Sequence, residues 1–198
     1  MTRSKRTLDI LLAASGLAVL SPLLVVIAAA VRMSDGGDAL FWQTRVGRGG
    51  RPFRMAKFRT MRLDADRMGP AVTIGQDPRI TRLGTVLRRL KLDELPQLWN
   101  VLRGEMSFVG PRPEVPRYVE LYSPEQRRVL DLVPGITDPA SLRFRDEASV
   151  LQRYDDPEQA YVNEVMPAKL RENLEYAARA NPATDVGLIV RTVLHIGR

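Results

Sequence analysis

The hydrophobic pattern is dominated by one block. Ile10 to Val31 runs for 22 residues without a charge, bounded by Arg3, Lys5 and Arg6 before it and Arg32 after it. A continuous helix of that length would be roughly 33 Å long, enough to cross a hydrocarbon core of about 30 Å. Three readings compete: a cleaved signal peptide, a single transmembrane span, and a helix that enters the membrane and turns back. The run exceeds the 7 to 15 apolar residues usual in a signal peptide, although Ala28-Ala29-Ala30 resembles a cleavage site.

Ser21-Pro22 stands at the middle of the block. Proline has no N–H, so the carbonyl of Ala18 loses its helical partner and a kink is expected. The Ser21 hydroxyl offers that carbonyl a replacement donor, which lipid does not supply. The arms Ile10 to Ser21 and Pro22 to Val31 would each cover about half a bilayer. Basic residues lie on both sides, with Arg45, Arg48 and Arg51 following Arg32. A single span would place one basic group outside, against the positive-inside tendency, whereas a re-entrant hairpin keeps both at the cytoplasmic face. The hairpin is slightly favoured over a kinked span.

Beyond the block, Ala39–Val46 and Pro52–Met61 read as a β-hairpin around Gly47-Arg48-Gly49-Gly50-Arg51. These glycines match no phosphate-binding loop. Asp64–Pro78 reads as a loop. From Arg79 a helical period sets in, with Leu83, Val86, Leu87 and Leu90 on one face. A second helix follows, with Leu92, Leu95, Leu98, Trp99 and Leu102 as its stripe, Asp93 at its N-cap and Pro96 in its first turn. Ser123-Pro124-Glu125-Gln126 matches a capping box for a helix to about Val133, and Asp156-Pro157 opens another that is interrupted or kinked at Pro167. Asp185–Ile196 gathers Val186, Ile189, Val190, Val193 and Leu194 on one face. That suits either a core helix or one lying in the membrane interface.

Composition narrows the chemistry. Among 198 residues there is no cysteine and one histidine, His195, which excludes disulfides, thiolate sites, a Cys nucleophile and a multi-histidine zinc site, and reads as a surface residue. Catalysis would rest on carboxylates, Arg or Lys, hydroxyls or a hard metal ion. The net charge of +7 is uneven. Residues 1–62 carry 11 basic and 3 acidic side chains, and residues 63–198 carry 19 and 20. The mean hydropathy of −0.18 therefore averages an apolar block with a polar remainder.

The densest candidate chemistry runs from Arg88 to Pro113. Asp93 and Glu94 are adjacent at a helix start, where the dipole favours ionised carboxylates, and an ionised Asp can attack phosphorus. Capping and dipole compensation would account for an arbitrary Asp-Glu pair. Arg112, however, lies between Pro111 and Pro113, whose fixed φ angles present a guanidinium suited to phosphate. Lys57, Arg59, Arg82, Arg88 and Arg89 could add positive charge or face anionic lipid. Together these features suggest phosphoryl chemistry at a bilayer surface.

KFRTM (57–61), LDELPQLWNV (92–101), GEMSFVGPRP (104–113) and PGIT (134–137) resemble the bacterial sugar transferases, specifically the small monotopic phosphoglycosyl transferases. The likeness covers nearly the whole chain. It implies a re-entrant membrane helix broken at Ser21-Pro22, and transfer of a sugar 1-phosphate from a UDP-sugar to a polyprenyl phosphate, typically undecaprenyl phosphate, with release of UMP. It also implies that Asp93 forms a covalent phosphosugar-aspartate, that Glu94 assists, and that Mg²⁺ binds near Asp93. Pro111, Arg112 and Pro113 would contact nucleotide or phosphate. Arg88 and Lys57 match basic positions of the motifs, and Arg143 lies in a segment linked to substrate recognition. Two departures stand out: Lys91 where Ser is frequent, and Asp138-Pro139-Ala140-Ser141 where Gly-Leu-Ala-Gln is more usual.

The expected fold is mainly α with a small β-hairpin (α+β): a membrane anchor over residues 1–35 and a catalytic domain over 36–198 with amphipathic interfacial helices. The expected setting is the cytoplasmic face of a bacterial inner membrane with anionic phospholipids, as the first membrane step of glycoconjugate synthesis. Two other readings remain. One is a non-enzymatic basic membrane-anchored binding protein; nucleic acid is disfavoured as its ligand because the charge flanks a lipid-embedded segment. The other is the same fold acting as a hydrolase.

Overall fold

A computed structural model of the chain describes residues 2–63, 65 and 77–195. It is mostly helical with two small sheets. The apolar block forms α1 (Arg3–Asp35), which starts at Thr2, whose hydroxyl accepts from the Lys5 N–H, and stops at Gly36 in the left-handed region. The helix continues through Pro22 without an end, so the two expected arms are one element here. The compensation expected at the proline is present: Ser21 Oγ donates to the Ala18 carbonyl at 2.8 Å.

Both ends of α1 hold the rest of the molecule. Near its start, Arg6 donates to the carbonyls of Val101 (2.6 Å) and Leu102 (2.8 Å), and Ala13 packs with Met55, Val101 and Met106. Near its end, Ile27 and Val31 pack with Phe58 and Leu87, and Asp35 pairs with Arg59. Residues 1–35 thus wall two of the apolar clusters found among the described residues. The opposite face is bare, with Leu11, Val19, Val25, Val26 and Met33 exposed.

The β-hairpin forms as read: β1 (Leu40–Val46) pairs antiparallel with β2 (Pro52–Phe58), from Leu40 opposite Phe58 to Val46 opposite Pro52. The turn needs its glycines, because Gly49 and Gly50 have φ of 68° and 74°. Next come α2 (Arg82–Arg89), capped by Thr81, and α3 (Gln97–Arg103). Between them Leu92–Glu94 is a 3₁₀ turn, so the second helix starts later than the periodicity predicts and its N-cap is Pro96, not Asp93. Asn100, fully buried on α3, satisfies backbone of β2 with its side chain: it accepts from Ala56 N–H (3.0 Å) and donates to the Arg54 carbonyl (2.8 Å).

A parallel pair absent from the sequence reading follows, β3 (Ser107–Val109) with β4 (Gly135–Thr137). Between the two strands lie α4 (Pro116–Val119) and a 3₁₀ segment, Gln126–Asp131. The Ser123–Gln126 capping box makes both reciprocal hydrogen bonds, yet the turn it opens is 3₁₀ and not the α-helix expected. Asp138 then caps α5 (Pro139–Arg143), accepting from the Ser141 N–H and hydroxyl. The departure Asp138-Pro139-Ala140-Ser141 is therefore a helix start built from an Asx cap and a proline at N1.

After α6 (Glu147–Leu151) and α7 (Pro157–Ala160), a π-helical turn at Tyr161–Val165 leads into α8 (Met166–Arg179), which accommodates Pro167 in its first turn. The last helix, α9 (Pro182–Leu194), docks on β3 and β4, with Thr192 and Thr137 hydroxyls 2.6 Å apart. Its outer face leaves Val186, Val190, Val193 and Leu194 exposed, so it is not a core helix. Of the expected loop 64–78, all but Ala65, Asp77 and Pro78 lies outside the described residues.

Gly110 and Gly135 bring β3 and β4 into backbone contact: a Cβ on Gly135 would lie 2.2 Å from Gly110 N. Gly135→Ala is expected to lower stability by about 1–3 kcal/mol through overpacking. Gly187→Ala on α9, whose Cβ meets nothing within 4 Å, should leave stability unchanged or raise it by up to about 1 kcal/mol. Thermal unfolding of the two variants beside the parent checks the contrast.

Candidate active site

Two adjoining lobes form the cleft, sharing Arg45, Lys91 and Arg112 as a common wall. The larger, about 720 Å³, is lined by Lys57, Arg59, Arg79, Arg88, Asp93 and Glu94 among others. The smaller, about 360 Å³, lies between α4, α5 and α8.

Three local devices assemble the larger lobe. Lys57 is an inward residue of β2, and the hairpin places Phe41, Gln43 and Arg45 of β1 on the same cleft wall at the period of two that a strand imposes. Lys91, with φ of 55°, is the one described non-glycine residue in the left-handed region; it turns the chain from α2 into the 3₁₀ turn that carries Asp93 and Glu94. The Pro111-Arg112-Pro113 segment is pinned by backbone: Gly135 N–H donates to the Pro111 carbonyl at 3.0 Å, and Arg45 donates to the Pro113 carbonyl at 3.0 Å.

These devices divide the two carboxylates. Glu94 receives both arms of the Arg112 fork, one at 3.2 Å and one closer, with Lys57 Nζ at 4.0 Å. Burial works against charging Glu94, but Arg112, Lys57 and the forked contact outweigh it and hold its carboxyl well below the usual range. Arg112 in turn is driven above its ordinary value by Glu94. The guanidinium expected to await a phosphate is thus already engaged by the second acid of the pair.

Asp93 is in the opposite condition. It is buried, caps nothing, and its Oδ1 has no hydrogen-bond partner among the described residues. Burial and the neighbouring Glu94 charge raise its carboxyl above the ordinary value. Because Asp93 does not cap a helix, the capping explanation of this residue fails. An unpartnered buried carboxylate facing a basic cleft is the kind of group that functional sites maintain at a cost to stability.

The surrounding cations are individually held. Arg88 Nε donates to Thr60 Oγ1 at 2.8 Å, and burial lowers its pKa. Arg59, buried and paired with Asp35, ties the end of α1 to the cleft. Lys57 is brought down to about 7, first by burial and then by the charge of Arg112. Arg143 is not brought to the cleft: it is exposed, pairs with Glu172 and stacks on Phe144. Its neighbour Arg145 lines the smaller lobe instead.

Arg45, Thr60 and Arg79 are site residues that the sequence reading missed. For Arg45 a signal existed: Gln43 and Arg45 are polar residues at alternate positions on the inward face of a strand. Arg79 lies buried against Asp77 on the cleft wall, just past a stretch without period. Among the described residues no three His, Cys, Asp or Glu side chains cluster. A divalent ion here would take one protein oxygen and otherwise substrate and water oxygens, an arrangement Mg²⁺ accepts, and the orphaned Asp93 Oδ1 fits that donor set.

A basic, carboxylate-containing cleft beside a long bare apolar helix is consistent with a membrane-associated enzyme acting on phosphates. The family described as bacterial sugar transferase matches residues 1–198, and the chain belongs to it. A putative undecaprenyl-phosphate N-acetylgalactosaminyl 1-phosphate transferase of Bacillus subtilis (strain 168) is 44% identical over 133 residues, covering 67% of this chain and 70% of that protein. The UDP-glucose:undecaprenyl-phosphate glucose-1-phosphate transferase of Caulobacter vibrioides is 38% identical over 195 residues, 96% of this chain and 68% of that protein. The exopolysaccharide production protein PSS of Rhizobium leguminosarum bv. phaseoli is 37% identical over 198 residues, 96% and 93% of the two chains.

Lys57 gives the cleft a pH signature. With a pKa of about 7 in the free protein, Lys57 is charged below that pH and neutral above it, and a bound diphosphate favours the charged form. Affinity for a nucleoside diphosphate is therefore expected to fall as pH rises through about 7. In Lys57→Arg, which keeps its charge, that dependence should flatten, as calorimetric titration with UDP across pH 6–9 would reveal.

Proposed function

We propose that the chain transfers a sugar 1-phosphate from a UDP-sugar to undecaprenyl phosphate and releases UMP. The observation that carries this reading is Asp93 Oδ1, without a hydrogen-bond partner among the described residues, in a cleft whose other acid is neutralised by Arg112. In the first step an Asp93 oxygen attacks the β-phosphorus. The bond from that phosphorus to the bridging oxygen breaks, and UMP leaves with the oxygen. In the second step an oxygen of the lipid phosphate attacks the same phosphorus and the Asp93 carboxylate departs, giving a lipid diphosphate sugar. The intermediate is a phosphosugar-aspartate.

Each neighbour has a part. Lys57 and Arg88 oppose the negative charge of the diphosphate, where fixed cations in a partly dry cleft stabilise a transferring phosphoryl group. Glu94 holds Arg112 in place, and through it the proline-flanked wall. Asp93 would hold a Mg²⁺ ion, which would supply further charge neutralisation and orientation.

The membrane reading rests on α1. A straight trans-bilayer rod cannot keep both its ends packed on one polar domain, and here Arg6 and Asp35, at opposite ends of α1, both grip that domain. The arrangement favours a monotopic protein whose bare α1 face enters the lipid from the cytoplasmic side, with α9 presenting a second apolar face. The exposed Arg3 and Arg32 would meet anionic headgroups. Synthesis of a lipid-linked sugar at that face is the first membrane step of a glycoconjugate pathway.

Two measurements test this. Asp93→Asn and Asp93→Ala should abolish UMP release from UDP-sugar and lipid phosphate, and radiolabelled phosphosugar should be trapped on the parent protein but not on either variant. Substantial turnover by Asp93→Asn would exclude the nucleophile assignment. For topology, cysteines introduced as Ser4→Cys and Ser34→Cys, in a chain with none of its own, should both react with a membrane-impermeant maleimide only from the cytoplasmic side. Labelling from opposite sides would establish a span.

A further inference from the structure

The smaller lobe holds two polar groups without partners. Asn173, on the inner face of α8 in line with Met166 and Leu170, is only 6% exposed, and its amide makes no hydrogen bond among the described residues. Tyr122, likewise 6% exposed, lines the same lobe with a hydroxyl that has no partner among them. Neither belongs to the polar side-chain atoms closed off from solvent, so both are open to the cavity and to whatever fills it. Their convergence on one cavity offers a ligand an amide and a hydroxyl that no side chain engages among the described residues.

We propose that this lobe receives the glycosyl group of the UDP-sugar donor, and that Asn173 and Tyr122 determine which sugar is accepted. The inference rests on the donor assignment above and deepens it. The lobe joins the phosphate-binding lobe at Arg112, so a donor with its diphosphate beside Asp93 can extend into it. Its volume, about 360 Å³, falls within the range of small-ligand sites, roughly 300–1,000 Å³. An amide that both donates and accepts, beside a phenol and the ring of Phe144, suits the hydroxyls and the C–H face of a pyranose. The names of the two relatives above that specify a sugar share undecaprenyl phosphate and differ in the sugar. Asn173 and Tyr122 lie outside the four motifs, as does Ser141, a departure from the family pattern that also lines the lobe. Residues that read the varying part of the substrate belong outside the shared motifs.

The test compares Asn173→Ala and Tyr122→Phe with the parent as the full chain in lipid nanodiscs. Binding of UDP-glucose, UDP-galactose, UDP-N-acetylglucosamine, UDP-N-acetylgalactosamine and UMP is measured by calorimetry, and UMP release is followed for each sugar. Both variants should unfold near the parent temperature, since neither residue has a hydrogen bond to lose. The expected result is that the ratio of affinities between the preferred sugar and its best competitor falls about tenfold in Asn173→Ala and about fivefold in Tyr122→Phe. UMP affinity should stay within twofold of the parent. Unchanged ratios would overturn the proposal. So would a loss of UMP affinity equal to the loss for every UDP-sugar, which would place the uridine in the lobe. The binding arm is independent of transfer: sugar-selective binding without UMP release would overturn the reaction assignment while leaving the lobe assignment standing.

Discussion

The forked pair between Glu94 and Arg112 is the contact on which the cleft depends. It joins the turn after α2 to the segment after β3, two pieces of chain that share no sheet and no helix. Charges this poorly solvated are stable only while paired, and removing one partner leaves the other stranded. The pair therefore acts as a clasp with no loose setting. Because it absorbs one acid of an adjacent pair, Oδ1 of the other is left without a hydrogen-bond partner among the described residues, and two adjacent acids stand in different conditions.

That clasp is backed by geometry that side chains alone could not provide. Pro111 and Pro113 limit the backbone on either side of Arg112, and glycine at 110 and 135 lets two strands touch so closely that neither tolerates a Cβ. Lys91 accepts a left-handed backbone to aim Asp93 into the cleft, a conformation that ordinarily costs a non-glycine residue about 1–2 kcal/mol. Such strain concentrates where a reactive group must be presented and not merely packed.

How much of this was legible in the sequence follows from what each feature depends on. The hairpin was, because aromatic and β-branched runs around a glycine turn are local signals. So was the Ser21 bond to Ala18, which needs only the chemistry of one proline. The start of α3 was misplaced because Asp93 has the residue type of a cap while the chain around it folds as a 3₁₀ turn. The strands β3 and β4, three residues each, carry no period and exist only because distant segments meet. The engagement of Arg112 by Glu94 is likewise a tertiary fact, and so are Asn173 and Tyr122, whose lack of partners cannot be seen until the cavity around them is.

The grip of Arg6 on the last carbonyls of α3 has a further meaning. A lipid-embedded segment is commonly pictured as a tether, with a globular head free to swing above the bilayer. Here Arg6 of α1 closes the end of the helix that follows Asp93, and the other end of α1 is latched through Asp35 to the cleft wall. On the proposed assignment, Asp93 consequently sits at a set altitude over the membrane plane. A lipid phosphate that drifts to that altitude would then meet the proposed nucleophile without any swinging of the domain, which would make the depth of the anchor itself a part of the catalyst.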